Sequence, residues 1–149
     1  MERQEGQPTR EDYTECAEIA HEFNELIAVA KLAALLENEN NHVLLCRVGV
    51  WYWQCGHNTL AAACYRRSLE LHAEAATYFN LAVCLDDEAG KVTDESAPGQ
   101  LARSELVAAA TDALRAAHNL YGSAEERTMA DESLRANGKG HLVERARAS

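Results

Sequence analysis

The side chains best suited to chemistry are five cysteines and six histidines. Cys55-Gly56-His57 sets a thiol and an imidazole two residues apart, with Cys46 and Cys64 on either side. Zinc sites are normally built from two close ligand pairs, and this stretch offers one loose pair. The simpler reading is small, reduced, apolar thiols beside a turn histidine, so no metal and no cofactor is expected. His21, His42, His57 and His72 fall on different predicted helices or turns, so no histidine–carboxylate pair is placed by spacing. The chain has no GxGxxG, phosphate-binding loop, GxSxG or HExxH. No catalytic residue is nominated, and a non-catalytic protein is expected.

Charge narrows the partners. Fourteen Lys and Arg oppose 24 Asp and Glu, a formal charge of -10. Nucleic acids and anionic membranes both demand cationic groups, so neither is expected as a main partner. No run of apolar residues is long enough to span a bilayer. The polar start MERQEGQPTRED lacks the apolar stretch of a secretory signal. Five cysteines without a CxxC then read as reduced thiols, and a cytoplasmic location is expected. Arg66-Arg67 reads as a solvated helix face paired with Glu70. Asp86-Asp87-Glu88 stands at the unfavourable end of its helix dipole, which gives an interaction role some weight.

These residues must be positioned by helices. The 149 residues include 27 Ala and 17 Leu against 8 Val and 2 Ile, a composition that favours helix over strand. Residues 1–9 form a polar lead, and 10–138 are expected to make one helical-repeat domain. Thr9 with Asp12 caps the first helix. Tyr13, Ala17, Ala20, Phe23, Ile27, Ala30 and Ala34 form one stripe, on a single helix or on two bent near His21–Asn24. Glu37–His42 is a stop. A helix over Val43–Cys55 is apolar almost all round. Gly56 ends it, and Asn58 is placed to cap the next, Thr59–Leu71. Further helices are expected over Glu74–Ala89, Leu101–His118 and, from the Ser123/Glu126 capping box, 123–138. Gly90–Gln100 reads as a loop tolerant of replacement, and 139–149 as a frayed tail.

The middle of the chain carries a spaced pattern. Leu45-x2-Val48-Gly49-x2-Tyr52 is followed by Gly56 at a turn and by Ala61-x3-Tyr65-x2-Ser68-Leu69. This set, spanning 42–75, resembles a complete tetratricopeptide repeat. Tyr78-x2-Leu81-Ala82-x2-Leu85 begins an imperfect second copy over 76–118, interrupted by the 90–100 insertion. Residues 10–41 are either an N-terminal helix or a degenerate repeat, since Ala34-Leu35 stands 34 residues before Ser68-Leu69. The resemblance implies an all-α fold: antiparallel helical hairpins stacked as a short right-handed solenoid, with the 123–138 helix as a cap.

The resemblance also implies a concave groove lined by the first helix of each repeat. Carried over by matching position, its wall comprises Val43, Cys46, Arg47, Val50, Trp53 and Gln54. The next repeat adds Phe79, Asn80, Val83, Asp86 and Asp87. Trp53 is the expected anchor, and Asp86 with Asp87 would select a basic flank. Some relatives grip a peptide C-terminal carboxylate with Lys and Asn. Here Cys46 and Val50 occupy two of those places, and only Arg47 and Asn80 are compatible. The function expected is a protein–protein interaction module, adaptor or chaperone-like, binding a peptide or helical segment of a partner. The small cytosolic chaperones of bacterial secretion systems are similar in plan. A homo-oligomeric assembly protein, such as a homodimer, and a cysteine-based metal or redox regulator are the alternatives.

Overall fold

The computed structural model describes residues 6–148. These form eight α-helices and no strand. The helices are α1 (Arg10–Glu22), α2 (Glu25–Leu36), α3 (His42–Gln54), α4 (Asn58–Leu71), α5 (Ala75–Lys91), α6 (Ala97–Leu120), α7 (Ala124–Ala136) and α8 (Gly140–Arg147). They divide into two compact units, Met1–His72 and Ala73–Ser149.

In the first unit, Thr9 and Asp12 form the expected capping box. Thr9 Oγ1 accepts from the Asp12 amide at 3.2 Å, and Asp12 Oδ2 accepts from the Thr9 amide at 2.7 Å. The N-terminal segment is two helices rather than one. Asn24 Oδ1 accepts from the Leu26 amide at 2.7 Å and so opens α2. This break resets the helical phase. The expected single stripe holds for Tyr13 and Ala17, which are buried, but α2 buries Ala28, Leu32 and Leu36 instead. Phe23 is 78% exposed and Ile27 58% exposed.

Helices α3 and α4 form an antiparallel hairpin. Ser68 Oγ donates to the His42 carbonyl at 2.9 Å near one end, while Gly49 faces Tyr65 near the middle. Gly49 is required there, because a Cβ on it would lie 2.5 Å from Tyr65 Cε1. Gly56 makes the turn with φ +84°. Asn58 is not the cap expected of it. It is the first residue of α4, whose N-cap is His57 without a side-chain bond.

Between α2 and α3, the acid-rich stop has a structural centre in Glu39, which is wholly buried. Its carboxylate accepts from Tyr13 Oη at 2.5 Å, from Gln7 Nε2 at 3.0 Å, and from the Asn40 and Asn41 amides at 3.1 Å each. Tyr52 Oη donates to the Tyr13 carbonyl at 2.7 Å, tying α3 to α1. Burial pushes both phenols to resist ionisation, and for Tyr13 the bond to Glu39 adds to the effect.

In the second unit, the expected Gly90–Gln100 loop is too long at both ends. Helix α5 runs on to Lys91, and α6 opens at Ala97 with Pro98 in its first turn and Ser96 as N-cap. The connection is ordered by contacts. Arg103 Nη2 donates to the Val92 carbonyl at 2.7 Å. Gly99 packs so closely on Asp94 that any Cβ would overlap its backbone oxygen. Ser123 Oγ caps α7 through the Glu126 amide at 3.1 Å. Glu126 reaches back one residue further than expected, to the Gly122 amide at 3.0 Å.

The tail expected to fray is instead α8. Leu142, Val143 and Ala146 are buried, and Arg115 binds its last carbonyls. The guanidinium donates to Ala146 O at 3.1 Å, Arg145 O at 3.0 Å and Ala148 O at 2.8 Å. One apolar turn flanked by cations is too short to stand out as a periodic segment, which hides it in the sequence.

Candidate functional site

Helix α3 buries one face, Leu45, Val48, Gly49 and Tyr52, against its neighbours. Being apolar almost all round, it has large side chains left over. Val43 is 50% exposed, Trp53 40% and Trp51 37%. Of the residues expected to line a groove, Val43, Arg47, Trp53 and Gln54 are exposed and Val50 is half-buried. Cys46 turns towards α4, with its Sγ 3.2 Å from Ser68 Oγ.

A cleft of about 310 Å³ opens where α1 passes α3. Arg10, Tyr13 and Thr14 line it from α1, and Leu44, Arg47, Val48 and Trp51 from α3. Only Arg47 of these belongs to the expected groove wall. Leu44, Val48 and Trp51 recur at helical spacing and face α1, so they share a side. None of the three stands at a groove position carried over from the family, although Val48 belongs to the repeat pattern. The signal that does is the all-round apolarity of α3.

In the second unit, Phe79 and Asn80 line a shallow, mainly apolar groove of about 360 Å³ between α5 and α7, with Ala76, Tyr121, Met129 and Ala130. Met129 is 63% exposed there. Burial pushes the Tyr121 phenol up, with Asp131 and Glu126 adding to it. Val83 is half-buried on α5. The residues expected to line one wall thus lie in both units, with Val43–Gln54 in the first and Phe79–Asp87 in the second.

Asp86 and Asp87 are engaged within the second unit. Lys139 Nζ donates to Asp86 Oδ2 at 2.6 Å and also to Asp87 Oδ1. His141 Nε2 lies 2.9 Å from Asp86 Oδ1. Burial alone would raise the Asp86 carboxyl, but Lys139 and His141 outweigh it and hold the group below its ordinary range. Burial likewise opposes the Lys139 charge, and the two aspartates more than offset it, raising the ammonium above its usual value. A second buried acid, Asp131, joins α6, α7 and α8. It accepts from Arg147 Nη2 at 2.7 Å and lies 2.7 Å from His118 Nε2.

Cys64, Cys16 and Cys84 are buried, and Cys55 is exposed at the end of α3. Among the described residues, no three His, Cys, Asp or Glu side chains converge as metal ligands, and no helix is long and apolar enough to cross a membrane. No family model matches the chain, and neither a curated protein nor a solved structure matches it.

Proposed function

We propose that the chain is a non-catalytic interaction module of stacked helical hairpins, tetratricopeptide-like in plan, which binds a peptide or helical segment of another protein in an adaptor- or chaperone-like role. One observation carries this reading. Helix α3 leaves Trp51 and Trp53 partly exposed after its inward face is satisfied, and Trp is enriched at binding hot spots. The hairpin plan is supported by the Gly49–Tyr65 crossing at the family's small and aromatic positions. It is supported too by α1–α2 packing beside α3–α4, through the Tyr52–Tyr13 bond, as a degenerate repeat would. A cytoplasmic setting belongs to the same proposal, resting on five free cysteines.

The test uses a partner recovered by cross-linking in the native lysate and then purified. Trp53→Ala should weaken it by roughly tenfold or more, mainly through faster dissociation. A folded Trp53→Ala protein with undiminished affinity would remove α3 as the binding surface. A second reading, self-association, is favoured by Phe23 and Leu26, each 78% exposed at one corner of the first unit. Light scattering across a concentration series decides it, since a constant monomer mass rules it out.

A further inference from the structure

The cleft between α1 and α3 holds two of the three described arginines of the first unit that carry no partner; the third, Arg66, stands exposed on α4 outside it. Among the described residues, neither the Arg10 nor the Arg47 guanidinium makes an ion pair or a side-chain hydrogen bond. That is notable in a chain of 24 acids and 14 bases. Arg67 is committed to Glu70, Arg115 to the end of α8, Arg135 to Glu144 and Arg147 to Asp131. The rest of the lining is mainly apolar, with Leu44, Val48 and Trp51 beside Tyr13 and Thr14.

We propose that this cleft binds an acidic peptide segment in which a carboxylate side chain stands beside an aromatic or large aliphatic one. The inference rests on the interaction-module reading and names its ligand class. A guanidinium presents a planar fork of donors matched to a carboxylate, and two such forks with no internal acid leave that role open. Leu44, Val48 and Trp51 offer apolar area for the neighbouring side chain. At about 310 Å³ the cleft takes side chains and not a whole helix. The charge preference is the reverse of the one expected from Asp86 and Asp87, whose carboxylates are held by Lys139. A phosphate would suit the two forks but would leave the apolar lining unused.

The experiment is selection from a random nonapeptide library displayed on phage, with the full chain immobilised. The same selection is run on the Arg10→Gln, Arg47→Gln double variant. The expected result is enrichment of Asp or Glu next to Phe, Trp, Leu or Ile, lost in the double variant. The enriched peptide is then synthesised with capped ends. It should bind the double variant about tenfold or more weakly, as loss of charged hydrogen bonds implies. In a Trp53→Phe protein Trp51 is the one tryptophan left, and its emission, excited selectively at the red edge, should change on binding. A basic or purely apolar consensus, no enrichment, or a consensus retained by the double variant overturns the proposal. So does displacement of the peptide by millimolar inorganic phosphate but not by chloride of equal ionic strength. If the cross-linked partner binds through Trp53 while the arginine variant binds it normally, this inference fails and the wider reading stands.

Discussion

Gly49 is the residue on which the α3–α4 hairpin turns. Its missing side chain is the space occupied by the Tyr65 ring, which is only 2% exposed and so has nowhere to retreat. Gly49→Ala should cost about 1–3 kcal/mol as overpacking, set against the roughly 1 kcal/mol that alanine gains in a helix interior. Gly49→Leu should prevent folding of the hairpin. Denaturant melts followed by circular dichroism check both, and a wild-type midpoint for either would mean that Tyr65 yields freely. This contact was legible beforehand, because a small residue and an aromatic at fixed repeat offsets say what must touch. Glu39 was not. In the sequence it is one acid in a polar stop, and nothing local shows that Tyr13 and two backbone amides converge on it.

Helix α8 shows the same contrast at the scale of an element. Long periodic helices show their ends in the sequence to within a few residues, whereas the one turn of Leu142, Val143 and Ala146 is hidden among charges. Helix α8 packs on α6 and α7 and is tied to α5 by Asp86, whose side chain is 6% exposed. Because the folded carboxyl is held below its ordinary range, the unfolded chain takes up a proton more readily. That stabilisation is present above the ordinary carboxylate value and is lost as the pH falls through the lowered one. Lys139 works oppositely: its raised value stabilises below the ordinary lysine range, and the gain is lost as the pH climbs through the raised value. Asp86→Ala should destabilise the second unit by roughly 1–3 kcal/mol at neutral pH, since it removes the charged hydrogen bonds to Lys139 and His141 and leaves the half-buried ammonium with Asp87 alone. The penalty should shrink on acidification. Melts at several pH values test this, and a penalty that stays constant down to strong acid would assign Asp86 a packing role only. The 90–100 loop is shorter than its composition suggests for a related reason. Gly, Pro and Ser mark a helix start as well as a loop, and here Ser96 and Pro98 open α6.

Across the whole molecule, charge is evenly spread. Residues Met1–His72 hold six bases and eleven acids, and Ala73–Ser149 hold eight and thirteen, a net -5 in each. At about 0.01 M salt, where the screening length is roughly 30 Å, an acidic peptide approaching the α1–α3 cleft meets this total field. At about 0.15 M, with roughly 8 Å, it meets chiefly Arg10 and Arg47. Its association rate should therefore rise with salt over that range, while its dissociation also quickens. Stopped-flow fluorescence measures both, and an association rate that falls steadily with salt would contradict the balance of charge described here. The pairing of helices has a further, kinetic consequence. α1 with α2, α3 with α4, and α5 with α6 are each chain neighbours, so most of the fold closes short loops, the topology that folds fastest. Each unit has one exception: α2 reaches past α3 to α4 in the first, and α8 past α7 to α6 and to Asp86 in the second. Each unit should thus close last through that longer-range pairing, α2 on α4 in the first and α8 on α6 in the second. Both tryptophans lie in the first unit, so their emission should report its closing step, whereas that of the second unit would have to be followed by circular dichroism or by tyrosine.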